Sequence, residues 1–179
     1  MCNSSDRFYQ VLLLGSAIGL SWLAMQAVHE FGHVLGAWLT GGEVSQVILH
    51  PLSISRTDLS HNPRPLLVVW AGPVIGVVIP LGVYLVARVL KAPELFLYRF
   101  FASFCLLANG VYIGIGSIKG IGDAGVMRIH GSPLWWLWLF GLVTIPVGGW
   151  LWDGIRESFG FGKAKGRVSK NATRWSVAL

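Results

Sequence analysis

Two histidines four residues apart, with a glutamate beside the first, form the run His29-Glu30-Phe31-Gly32-His33. On a helix, positions i and i+4 share a face, so both imidazoles can reach a single metal ion. Zinc is the usual guest of such a pair, and the glutamate can then act as general base toward a metal-bound water. Five-residue patterns of this kind also arise by chance in ordinary helices. The surroundings weigh against chance here: from Phe8 to Leu39 there is no Lys, Arg or Asp, and Glu30 is the only formal charge. Ionisable groups in an apolar span are costly and are functional by default. A metal ion is the simplest partner for all three.

A catalytic zinc site needs a third protein ligand and one open position. The acids Asp6, Asp153 and Glu157 lie near the chain ends beside basic residues, and Glu43 and Asp58 belong to a loop. Glu94 follows Pro93 near a helix start, where an acid favours the helix dipole. Asp123 differs, because it sits in Gly120-Ile121-Gly122-Asp123-Ala124-Gly125, downstream of Asn109-Gly110, Gly114 and Gly116. Glycine at that density marks unwound or closely approached backbone, tolerated at membrane depth only where it is buried or lines a cavity. A turn aspartate is the alternative, but elimination favours Asp123 as third ligand. His50 and His61 are ligands by residue type alone.

The elements that must position these groups are apolar helices. Hydrophobic residues make up 54% of the 179 and charged residues 12%, about half the charge of an ordinary soluble domain. Mean hydropathy is +0.62. The pattern predicts an all-α, multi-pass integral membrane protein with about four transmembrane helices: Phe8–Leu39, Leu66–Leu90, Leu95–Gly116 and Leu134–Trp152. Trp135, Trp136 and Trp138 at one end of the last span, with Trp150 and Trp152 at the other, suit interfacial belts. Between the first two spans, Val44–Leu49 and Leu52–Thr57 read as short strands around His50-Pro51, a hairpin-like loop. A free strand edge there could hold an extended peptide through main-chain hydrogen bonds. Residues 1–152 form the membrane core and 153–179 a basic, disordered tail. The tail's Arg156, Lys163, Lys165, Arg167, Lys170 and Arg174 argue for a cytoplasmic C-terminus. No aromatic-interleaved basic face accompanies the net charge of +6, so membrane lipid headgroups rather than nucleic acid are its expected partner. Cys2 and Cys105 have no zinc-ligand spacing.

The order of these features, with Ala71-Gly72-Pro73 opening the second span, resembles the site-2 protease class of intramembrane zinc metalloproteases, in its compact form. The resemblance covers about Ala24 to Gly125. It implies that His29, His33 and Asp123 hold Zn2+, that Glu30 is the catalytic acid/base, and that Asn109 positions substrate. It further implies a transmembrane or membrane-proximal protein segment as substrate. The chain departs from the family pattern in having no proline between Asn109 and Asp123, and in placing Ala124 directly after the aspartate. Two other functions share these residues. A proton- or ion-conducting transporter could relay through Glu30 and Asp123, although no inverted repeat is visible. An inactive membrane scaffold would have no use for Glu30.

Overall fold

The structure, a computed structural model, describes residues 4–178; Cys2 lies outside them. The first helix, α1 (Ser4–Leu39), leads into a two-stranded antiparallel sheet, β1 (Glu43–Ile48) with β2 (Arg56–His61). Helices α2 (Pro65–Val89), α3 (Leu95–Gly114), α4 (Gly116–Lys119), α5 (Gly122–Ile129) and α6 (Leu134–Asp153) follow. Four stretches are long and apolar enough to cross a membrane: α1, α2, α3 continued through α4, and α6. Their ends lie close to those the hydropathy predicts. The all-helical architecture with one small hairpin after the first helix is therefore the one expected.

With 36 residues, α1 is about 54 Å long, well beyond the ~30 Å of a bilayer core. It stops at Gly41, whose φ of +76° only glycine adopts easily, and Gly42 N–H closes the end by bonding Ala37 O at 2.8 Å. From there the hairpin runs back along α1. Trp22 Nε1 donates to Pro51 O at 2.8 Å, so the tip lies some 25 Å below the helix end. Leu52 is 90% and Ile54 68% exposed at that tip. The middle of the hairpin is polar. There the Gln46 amide donates to Asp58 Oδ2 at 2.8 Å and, with Arg56 alongside, holds the Asp58 carboxyl below its usual range.

The second strand is displaced from its expected place: it spans Arg56–His61 rather than Leu52–Thr57. Residues 49–55 are used for the tip, where Pro51 has no N–H to give and Ser55 is tied to α1 through Gln26. Pairing, not composition, makes a strand of the polar run Arg-Thr-Asp-Leu-Ser-His, with Val47 opposite Thr57 and Ile48 opposite Arg56.

Residues 153–179, expected to be a disordered appendage, are instead ordered through Ala178. Two 3₁₀ turns (Arg156–Phe159 and Gly162–Ala164) precede α7 (Lys170–Ala178). Ile155, Phe159 and Ala172 join Leu13, Ala17 and Phe100 in one buried cluster. Gln10 Nε2 donates to Phe159 O at 2.9 Å, and Ser169 Oγ donates to Glu94 Oε1 at 2.6 Å. The tail's basic residues stay exposed, as do Phe161, Trp175 and Val177, while Ile155, Phe159 and Ala172 turn inward, which average composition conceals. Elsewhere α3 packs closely on α6 through facing glycines: a Cβ on Gly114 would lie 3.2 Å from Gly141 Cα.

Candidate metal centre

His29 and His33 lie on one face of α1, both nearly buried, and Asp123 reaches them from the first turn of α5. His29 Nε2 is 2.8 Å from Asp123 Oδ2, His33 Nε2 is 3.3 Å from the same oxygen, and the two Nε2 atoms are 3.1 Å apart. A tetrahedral ion with bonds of about 2.0–2.1 Å to nitrogen and oxygen needs ligand atoms about 3.3 Å apart. The triangle is close to that size.

The outer hydrogen bonds decide which nitrogens are available. His29 Nδ1 sits 2.7 Å from Asn109 Oδ1, and His33 Nδ1 sits 2.9 Å from Val68 O. Both partners are acceptors. Asn109 is fixed in that sense because its Nδ2 donates to Cys105 O at 2.9 Å. Each Nδ1 therefore carries the proton in the neutral ring, and each Nε2 presents a lone pair. Two lone pairs and a carboxylate oxygen facing one another repel unless a cation sits among them. The donor set fits a metal ion, and these three residues could hold one.

Local sequence explains the close assembly. Gly72 faces His33, and a Cβ there would collide with the imidazole, so α2 can approach only with glycine at that position. Gly122 has φ of +55° and abuts Tyr112, whose Oη accepts the Asp123 N–H at 3.2 Å. The Tyr112 ring also packs edge-on against His29, with centroids 5.9 Å apart.

Glu30 is 4% exposed, and its Oε2 accepts the Thr57 hydroxyl at 2.7 Å. Together with His29, His33, Asn109 and Asp123 it lines a largely apolar cavity of about 1210 Å³ that extends along α1 and α3 to Ile18 and Phe100. From the hairpin, Ile54 and Ser55 of the tip and Arg56, Thr57 and Leu59 of β2 line it, and no residue of β1 does. All five expected site residues thus meet at one cavity. Asn109, expected to position substrate, has both ends of its amide engaged within the protein, and its residue is 1% exposed. His50 and His61 take no part in the metal group; His50 Nδ1 accepts the Leu52 N–H at the hairpin tip. Thr57 and Tyr112 are the residues that sequence reasoning missed. Tyr112 had a signal, lying three positions after Asn109 on the same face of α3.

Neither curated proteins nor solved structures gave a significant match to the chain. The sequence profile of the Peptidase M50B-like family matches residues 10–116, which carry His29, Glu30, His33 and Asn109, and the chain belongs to that family.

Proposed function

We propose that this protein is a zinc-dependent endopeptidase embedded in the membrane by four crossings, hydrolysing peptide bonds in transmembrane or membrane-proximal segments of other proteins. The observation that carries the reading is the convergence of two Nε2 lone pairs and one carboxylate oxygen beside a buried glutamate. His29, His33 and Asp123 would hold the metal, with Asn109 and the Val68 carbonyl fixing the two rings. A bound zinc supplies Lewis acidity toward the scissile carbonyl and acidifies water. Glu30 takes a proton from the attacking water as its oxygen bonds to the carbonyl carbon. It then returns that proton to the amide nitrogen as the C–N bond breaks. The apolar walls exclude bulk water and suit an apolar chain. A hairpin edge could hold that chain extended, and β2 is the strand beside the cavity. A proton relay through Glu30 and Asp123 gives no account of the paired Nε2 lone pairs.

Metal analysis of the purified chain should find about one zinc per chain, lost in His33→Ala. Glu30→Gln should keep the zinc and abolish cleavage of a single-span reporter in membranes, since an amide cannot accept the proton. Stoichiometric zinc in the double variant His29→Ala/His33→Ala, or undiminished cleavage by Glu30→Gln, would end the proposal.

A further inference from the structure

Three residues on α1 share one face at four-residue spacing, Trp22, Gln26 and Glu30, and each is hydrogen-bonded to the hairpin. Trp22 holds Pro51 O. Gln26 Oε1 accepts both the Ser55 N–H at 2.9 Å and the Ser55 hydroxyl at 2.7 Å, while its Nε2 donates to His50 O at 3.3 Å. Ser55 immediately precedes β2 and Thr57 is its second residue, and both hydroxyls bond to side chains of α1. Fastening Ser55 to Gln26 therefore fixes where the Thr57 hydroxyl falls, 2.7 Å from Glu30 Oε2. A slip of one residue would bring Arg56 or Asp58 to Glu30 instead: a competing cation or a second carboxylate.

We infer that Thr57 is a positioning residue for Glu30, and that the hairpin, registered on α1 by Gln26, thereby sets the geometry of the acid/base group. The inference rests on the peptidase reading above. A carboxylate in an apolar cavity turns freely about its last torsion unless one oxygen is held. The Thr57 hydrogen bond to an ionised acceptor is of the stronger kind. No hydrogen bond from the described residues reaches Oε1, so anchoring Oε2 presents the other oxygen to the cavity. The hairpin thus does more than border the site: it carries a hydroxyl that aims the proton acceptor.

The test uses the zinc-loaded full chain in phosphatidylcholine vesicles with a synthetic Leu/Ala transmembrane peptide interrupted by a central Gly-Pro pair. Thr57→Val keeps the shape and removes the hydroxyl; it should lose about tenfold in kcat with KM within about twofold. Thr57→Ser restores the hydroxyl and should recover to within about threefold of wild type, which a purely structural role for the threonine methyl would not allow. A second, activity-independent measurement is the infrared difference spectrum of wild type against Thr57→Val. It should contain a shifted carboxyl band that vanishes when the same pair is compared in a Glu30→Gln background. Wild-type kcat in Thr57→Val, no recovery in Thr57→Ser, or no Glu30-dependent band would overturn the inference. Equal cleavage by wild type and Glu30→Gln would instead sink the peptidase reading, while the infrared comparison still judges the Thr57–Glu30 contact by itself.

Discussion

Two imidazole protons govern the metal group. Because the acceptors Asn109 Oδ1 and Val68 O hold them on Nδ1, both Nε2 atoms face inward ready to bind. Of these two partners only Asn109 is a side chain, so it is the one mutation can address. Asn109→Leu removes the acceptor and leaves a buried Nδ1–H without a partner, and zinc affinity should fall about 10–100-fold in chelator competition. Asn109→Asp keeps an acceptor and should hold affinity far better; equal affinity in the leucine variant would exclude the orienting role. At this scale the meeting of His29, His33 and Asp123 was readable before the fold was known. The spacing of His29 and His33 fixes their common face, and Asp123 survives elimination among the acids because of its glycine-rich setting. The direction in which the Asn109 amide turns was not readable. It depends on the Cys105 carbonyl and on how α3 meets α1, which no local pattern encodes.

At the scale of elements, the four apolar helices announce themselves because hydropathy and length both answer to bilayer thickness. The hairpin does not. A two-stranded hairpin has little core of its own, so its register follows the side chains on the neighbouring helix. Gln26 is the chief of these. Its place four residues before Glu30, a lone amide in an apolar stretch, was the available clue. Gln26→Leu should leave the Ser55 N–H, its hydroxyl and the His50 carbonyl without their partner, at roughly 1–3 kcal/mol for each group left buried and unsatisfied. Hydrogen exchange at Ser55 and proteolysis in residues 50–56 should both accelerate, with zinc content unchanged. Protection equal to wild type would mean that the hairpin is seated by something other than Gln26.

Over the whole molecule, the metal group and the tail cluster lie about 30 Å apart along α1, since Gln10 holds the tail and Glu30 the hairpin. Phe159 anchors the tail end, 3% exposed and packed on Phe96 and Phe100 with centroids 5.3 and 4.9 Å away. Phe159→Ala should cost about 3 kcal/mol in thermal unfolding in detergent, as large-to-small core changes do. Zinc stoichiometry should be unaltered, because sites this far apart behave additively. Loss of zinc in that variant would mean that the two ends form one cooperative unit. The metal group also spans the chain in another sense: His29 and Asp123 are 94 residues apart. At about 5–20 residues per second, a ribosome needs roughly 5–20 s to pass from one to the other. During that interval the nascent chain has both histidines and Glu30 but only two of three ligand atoms, so a half-made copy cannot complete the centre. On the zinc reading, metal capture would belong to the end of biogenesis, after α3 and α5 have joined α1, and the timing would follow from the order of the genetic message.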